Sequence, residues 1–182
     1  MVDLPDINMH APVIEECRKG SSKAQSSLYN QYSKAMYNLA YRMMNNREDA
    51  EDILQETFLE CFRSIGSFRF ESTFGAWLKR ILINKCVNQI RRKKIELILY
   101  ETLPDYKTEE EPEITYETGK IFKGIEQLPD GYRIILTLYL LEGYDHTEIA
   151  QILGISESTS KSQYSRAKDK LRNILSKNYN YG

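Results

Sequence analysis

The side chains in this sequence that are best placed for chemistry are basic and amide groups that recur at helical spacing. The stretch 77–94 holds seven bases and no acid. Within it, four polar side chains follow one another at spacings of four, four and three residues: Arg80, Asn84, Asn88 and Arg91. This spacing places them along one side of a helix. Because neighbouring side chains are basic as well, the strip favours contact with a phosphate backbone over a plain solvated face.

The charge of the chain is strongly segregated, although its formal net value is only −1. Residues 47–60 hold six acids and one base, and residues 95–120 hold eight acids and two bases. The basic stretches lie at 77–94 and at 158–177, where six bases oppose Asp169. Two basic stretches separated by acidic ones predict two polyanion contacts on one chain. Charge alone leaves ordinary solvated helix faces as the alternative.

The sequence contains no motif typical of catalysis or of cofactor binding. There are two histidines, and no CxxC, HExxH, Walker or dinucleotide-binding glycine motif. We therefore expect no catalytic residue, no metal site and no cofactor. Cys17, Cys61 and Cys86 stand at wide spacings and are predicted to be reduced core thiols of a cytoplasmic protein. No apolar run approaches the roughly 18 residues of a membrane span, so no membrane insertion is expected.

Apolar periodicity predicts an all-α protein. A capping box at 22–25 opens a first helix. Asn46 caps a second helix, which Gly66 ends. After a loop at 67–73, a third helix is predicted over 74–94. The polar face of the second helix is predicted to hold Asp52, Gln55, Glu56 and Arg63.

The helical pattern breaks after the third helix. Pro104 and Pro112 interrupt it, and an acidic run stands between them. This composition predicts a flexible acidic linker at 96–120, which joins a small helical domain at 13–95 to another at 121–179. A plain solvated spacer without a further role is an equally compatible interpretation of the linker.

The C-terminal domain is predicted to contain a helix-turn-helix. Asp145–Glu148 can cap a short helix, Gly154–Ile155 supplies the turn, and Ser156 can cap a final helix. In this motif the N-terminal side chains of the second helix reach bases in the major groove. The side chains available for that contact are Lys161, Ser162, Gln163, Ser165 and Arg166. An αα-hairpin that binds no nucleic acid is the competing interpretation.

Two parts of the chain closely resemble bacterial RNA polymerase sigma factors. Residues 49–59 (DAEDILQETFL) and 77–84 (WLKRILIN) are similar to sigma region 2. Leu128–Pro129, residues 148–156 and residues 159–172 are similar to sigma region 4. Two such regions joined by a short linker are the layout of the extracytoplasmic-function (ECF) group of the sigma-70 family.

The resemblance implies a transcription initiation factor, not an enzyme, that binds core RNA polymerase, directs it to specific promoters and promotes their melting. Region 2 of the family docks on the clamp helices of the largest polymerase subunit. The residues that match this contact are Asp52, Gln55, Glu56 and Leu59. Charge-assisted pairs with arginines of the polymerase are implied for the two acids.

Region 2 of the family also captures a flipped base of the −10 element, and Phe68 and Asn84 match the pocket. Stacking and hydrogen bonding to a base suit an aromatic ring and an amide. Arg80, Asn88 and Arg91 complete the implied −10 surface. Region 4 binds the −35 element as duplex through the recognition helix, and an apolar surface near residues 138–144 is implied to hold the polymerase flap.

The sequence departs from the family at three positions of the recognition helix. Serines replace a frequent glycine at Ser158 and a frequent valine at Ser160, and Gln163 replaces a frequent arginine. Ser160 is expected either to loosen packing or to accept a hydrogen bond, and the promoter sequence is not predicted. An anti-sigma factor is a further partner common in the family. Two alternatives remain: a helix-turn-helix regulator that acts without core polymerase, and a helical adaptor that binds no DNA.

Overall fold

The described part of the chain is helical, and the chain divides into two compact units. A computed structural model describes residues 10–98 and 118–179. These residues form helices, turns and loops without a strand. The units are Met1–Ile90 and Arg91–Gly182. The predicted all-α fold with two helical domains is confirmed.

The described residues of the first unit form four helices: α1 (Ala11–Arg18), α2 (Ser22–Met44), α3 (Arg47–Ser64) and α4 (Phe74–Ile98). Helix α4 continues past Ile90, where the unit ends. Helix α1 was not predicted. Its proline lies in the first turn, where a missing N–H costs no hydrogen bond, and Ile14 and Cys17 are buried.

The caps of α2 and α3 differ slightly from the predictions. Ser21 caps α2, because its hydroxyl accepts a hydrogen bond from the Ala24 N–H at 3.3 Å. The predicted capping box at 22–25 is therefore wrong by one residue. Asn46 caps α3 as predicted and accepts from the Asp49 N–H at 3.0 Å. Gly66 does not end α3 but lies in a 3₁₀ turn, Ile65–Ser67, that follows it.

The third predicted helix, α4, is longer than expected. It continues to Ile98 and so passes both the predicted helix end at 94 and the predicted domain end at 95. Residues 118–120 of the predicted linker open helix α5. The remainder of that linker, 99–117, lies outside the described residues, and the domain boundaries stay a prediction.

Beyond α4, the described residues of the second unit form four helices and a wide helical turn. They are α5 (Thr118–Glu126), α6 (Asp130–Leu136), a π-helical turn (Thr137–Leu141), α7 (His146–Leu153) and α8 (Glu157–Tyr179). One core cluster joins α5, α6 and α8: Ile125, Leu128, Leu136, Ala167, Leu171 and Leu175. Gly124 allows the close approach of α5, since a β-carbon there would lie 2.8 Å from Leu171 Cδ1.

The three cysteines are free thiols in the interior of the first unit. Cys17, Cys61 and Cys86 are all buried, as expected of core thiols. Burial raises the pKa of the Cys61 and Cys86 thiols to about 12. Their thiolates, which are the nucleophilic form, are therefore scarce near neutral pH.

Candidate nucleic-acid interface

Helix α3 presents an exposed face that combines carboxylates with one apolar side chain. The face contains the four residues predicted to bind polymerase: Asp52, Gln55, Glu56 and Leu59. Leu59 is 57% exposed, whereas Ile53 and Phe58 on the opposite side are buried. The structure brings all four predicted side chains to one surface, which is suited to a partner that offers both cations and apolar groups.

One carboxylate of this face already has a cationic neighbour. The Lys85 ammonium of α4 lies 3.4 Å from the Glu56 carboxylate, with the Glu56 side chain 65% exposed. An exposed pair of this kind contributes about 0–1 kcal/mol. Glu56 can therefore exchange Lys85 for a cation of a partner at little cost.

The predicted polar strip of α4 is one continuous exposed face. Arg80, Asn84, Asn88 and Arg91 are all exposed. Leu82, Cys86 and Ile90 on the other side of the helix are buried. The helix thus exposes the Arg80 guanidinium and the amides of Asn84 and Asn88, while its apolar side anchors it in the first unit.

The loop between α3 and α4 places Phe68 differently from the prediction. The side chain is only 3% exposed. Its ring lies 5.2 Å from the Trp77 ring and 5.9 Å from the Phe74 ring. A base cannot stack on this ring without opening the core, so Phe68 is a packing residue in this conformation. Asn84, its predicted partner in the base pocket, is exposed.

Phe70 is the loop aromatic that the sequence did not single out. It is half-buried, and its ring lies 4.9 Å from the Phe68 ring. Its φ of 57° is left-handed, which is unusual for a bulky residue. Such a conformation costs about 1–3 kcal/mol and persists only where the surroundings impose it. The aromatic residues between 68 and 77 could have predicted a cluster of packed rings from the sequence. They could not have predicted which ring stays accessible.

The helix-turn-helix has the predicted caps. Asp145 and Glu148 form a complete capping box at the start of α7. Gly154 ends α7 in the left-handed region at φ 65°, a conformation that favours glycine. Ser156 accepts a hydrogen bond from the Thr159 N–H at 3.1 Å and so caps α8. The predicted motif is confirmed in its local geometry.

The predicted DNA-reading side chains lie near the N-terminus of α8. Lys161, Ser162, Ser165 and Arg166 are exposed and Gln163 is half-buried. Lys161 Nζ lies 2.6 Å from a Glu157 carboxylate oxygen one turn earlier. This bond lowers the pKa of the Glu157 carboxyl and raises that of the Lys161 ammonium. Lys161 is thus charged and exposed, and Glu157 competes with phosphate for it.

Ser160 is buried and its hydroxyl has a partner. A 2.9 Å hydrogen bond joins Ser160 Oγ to His146 Nδ1 of α7. The His146 ring stacks on Tyr139 at 4.6 Å between ring centroids. Of the two roles expected for Ser160, the structure therefore supports the hydrogen bond, which joins both helices of the motif.

The apolar surface expected at 138–144 is narrower than predicted. Leu138 is fully buried, whereas Leu140 is 51% exposed. Both residues lie in the π-helical turn. Its Glu142 N–H donates to the Thr137 carbonyl, five residues earlier, at 3.0 Å. Leu140 is the side chain of this turn that remains available to an apolar partner.

Comparisons with known proteins match the two parts of the chain to two regions of one family. Sigma-70 region 2 matches residues 28–95, and sigma-70 region 4 matches residues 119–171. The chain is 31% identical to the ECF RNA polymerase sigma factor SigW of Bacillus subtilis over 176 residues, which cover 89% of this chain and 94% of SigW. It is 33% identical to the ECF RNA polymerase sigma-E factor of Haemophilus influenzae, with coverage of 90% and 93%.

The chain belongs to the ECF sigma factors. Its fold resembles that of sigma factor RpoE from Bartonella quintana, solved with the anti-sigma factor NepR, at a TM-score of 0.57 and 24% identity. That likeness covers 83% of this sigma factor and 96% of RpoE. CnrH, solved with the cytosolic domain of CnrY, gives a TM-score of 0.54 at 22% identity, covering 90% of this chain and 95% of CnrH.

The family consists of transcription initiation factors and has no known enzymatic activity. In the part of this sigma factor that the structure describes, no group of three His, Cys, Asp or Glu side chains is arranged to hold a metal ion. Nor is any helix among the same residues long and apolar enough to cross a membrane.

Proposed function

We propose that this ECF sigma factor binds core RNA polymerase, directs it to specific promoters and opens the promoter DNA. The observation that carries the proposal is the pair of exposed faces on two consecutive helices, α3 and α4. Helix α3 presents carboxylates and Leu59, and helix α4 presents arginines and amides. A regulator that relied on the helix-turn-helix alone would use neither face.

The α3 face is the proposed polymerase contact. Carboxylates paired with arginines form charge-assisted hydrogen bonds, which are stronger than neutral ones. Asp52 and Glu56 are proposed to make these bonds with the clamp helices. Leu59 contributes apolar area between the charged groups, and Gln55 offers a donor and an acceptor at the edge of the face.

The α4 face and the preceding loop are the proposed −10 contact. Arg80 and Arg91 are suited to phosphates of the separated strand, because arginine binds phosphate through a planar fork. Asn84 and Asn88 can donate to and accept from base edges. We assign the stacking role that the sequence suggested for Phe68 to the half-buried Phe70, since aromatic stacking requires an accessible ring.

The N-terminal half of α8 is the proposed −35 contact, with the element bound as duplex. A helix fits the major groove, where the donor and acceptor pattern distinguishes all four base pairs. Lys161, Ser162, Gln163, Ser165 and Arg166 are proposed to make this contact. The bond between Ser160 and His146 fixes the start of this helix against α7.

The protein is proposed to act in the cytoplasm without catalytic residues or a cofactor of its own, since the polymerase supplies the nucleotidyl transfer. An anti-sigma factor is a proposed third partner. The support is that RpoE of Bartonella quintana was solved with such a protein.

Asn84→Ala is expected to impair open-complex formation about tenfold and to leave closed-complex binding nearly unchanged. The amide would contact a base only after strand separation, and an unmet hydrogen bond costs about 1–3 kcal/mol. Permanganate reactivity of promoter thymines measures opening, and a mobility shift on ice measures the closed complex. Asn38→Ala, an exposed asparagine of α2, is the matched control. Equal losses at both stages would argue against a base contact.

Arg166→Ala is expected to weaken promoter binding by roughly 1–3 kcal/mol and to relax the preference at one −35 position. The reason is that a bidentate arginine distinguishes guanine from other bases. Holoenzyme binding to promoters with each −35 base replaced measures the preference. Lys177→Ala, about 16 Å further along α8, is the control. A uniform loss over all sequences would instead mark Arg166 as a phosphate contact.

Affinity capture with purified core polymerase separates the proposed function from both alternatives. The sigma factor should co-elute with core at a one-to-one ratio and compete with another sigma factor for it. A helix-turn-helix regulator would bind duplex DNA but not core. An adaptor would bind neither, and either outcome would overturn the proposal.

A further inference from the structure

Arg18 of helix α1 connects this helix to the loop that precedes α4. Its Nε donates to the Ile65 carbonyl at 3.3 Å, and its Nη2 donates to the Phe68 carbonyl. Its Nη1 donates to the Glu15 carboxylate at 2.6 Å. The residue lies outside the part of the chain that matches sigma-70 region 2, which begins at residue 28.

The guanidinium also covers the ring of Phe70, with 5.4 Å between the guanidinium carbon and the ring centroid. A cation over an aromatic face is attracted by the negative charge of that face. The contact joins the one loop residue with left-handed backbone to a group that is itself fixed by two carbonyls. Arg18 therefore bonds both ends of the turn 65–68 and covers the strained residue that follows.

The geometry favours a positioning role over a direct contact with nucleic acid. Each of the three guanidinium nitrogens already donates to an acceptor of this protein. Two of these acceptors are backbone carbonyls, which set where the loop runs irrespective of its side chains. Loss of these two bonds would release the loop backbone, so they point to a role in holding the loop.

We propose that Arg18 is a positioning residue that holds the loop 68–73 in the conformation that receives the unpaired −10 strand, with the Phe70 ring as the surface it presents. The inference rests on the proposed function, in which this loop and α4 contact the melted −10 element. Arg18 fixes the conformation of Phe70 in the free protein. The loop therefore loses less conformational entropy when DNA binds, and this loss does not weaken binding.

The test compares holoenzymes on two promoter templates, one duplex and one with a preformed −10 bubble. Arg18→Met removes the charge and the fork, whereas Arg18→Lys keeps the charge but cannot form the paired hydrogen bonds. Both variants should lose about tenfold or more in affinity for the bubble, as expected when one base no longer stacks. Both should remain within about twofold of wild type on the duplex when binding is measured on ice, where the promoter stays closed. Lys19→Ala removes the adjacent cation, whose partner is the exposed Glu16 of the same helix, and is the matched control.

Four results would overturn the inference. Full recovery by Arg18→Lys would show that charge, not the fork, is what matters. Losses of the same size on both templates, or losses that follow the folded fraction measured by thermal unfolding, would reduce Arg18 to a structural contact. If both variants bound the bubble template with wild-type affinity, Arg18 would have no positioning role. A wild-type holoenzyme that bound neither template would instead contradict the proposed function, before any variant is compared.

Discussion

Glu56→Arg is expected to abolish assembly with core RNA polymerase, with a loss of affinity of at least about 100-fold. The substitution replaces an acceptor of arginine by a like charge at the centre of the exposed α3 face. The folded state should survive it, because the Glu56 side chain is exposed and its 3.4 Å pair with Lys85 contributes little. Titration of core with fluorescently labelled sigma factor measures the affinity, and circular dichroism monitors the helices.

Glu16→Arg is the charge-matched control for this prediction. Glu16 is exposed on α1, so the substitution changes the net charge by the same amount on another surface of the same unit. It should leave the affinity for core within about twofold of wild type. Unchanged assembly of the Glu56→Arg variant would show that the α3 face is not the polymerase contact. An equal loss in both variants would indicate a general effect of charge.

Phe68→Ala is expected to lower the free energy of unfolding of the first unit by about 3–5 kcal/mol. The substitution empties a site that is enclosed by the rings of Phe70, Phe74 and Trp77. Urea unfolding followed by tryptophan fluorescence reports on this unit alone, because Trp77 is the only tryptophan of the chain. Promoter opening should fall together with the folded fraction.

Asn84→Ala is the informative comparison for Phe68→Ala, since both residues were predicted for one base pocket. Because Asn84 is exposed, Asn84→Ala should leave the urea midpoint of unfolding unchanged. A Phe68→Ala variant with wild-type stability and a selective defect in opening would restore the base-stacking role that the sequence suggested. It would also show that the buried ring leaves the core when DNA binds.

The helical faces could be predicted from the sequence because periodicity decides them. Residues three and four apart lie on one side of a helix whatever the rest of the fold does. The exposed strip from Arg80 to Arg91 and the polar face around Glu56 follow from that rule alone. The cap at Asn46 and the turn at Gly154 follow from equally local chemistry.

The loop before α4 could not be predicted in this way because its conformation depends on distant residues. Phe68 and Phe70 are the same residue type, two positions apart, and nothing local decides which ring is buried. Arg18, some 50 residues away, bonds this loop through backbone carbonyls, which carry no sequence signal. The partner of Ser160 is likewise non-local, since His146 belongs to another helix.

Run-off transcription tests most directly the claim that this chain makes core polymerase promoter-specific. Core polymerase from the source bacterium is incubated with a pool of its genomic fragments, with and without the sigma factor, and transcript 5′ ends are mapped. We expect new, discrete start sites that share one −10 and one −35 element and that disappear with Glu56→Arg. Start sites identical to those of core polymerase alone would contradict this claim.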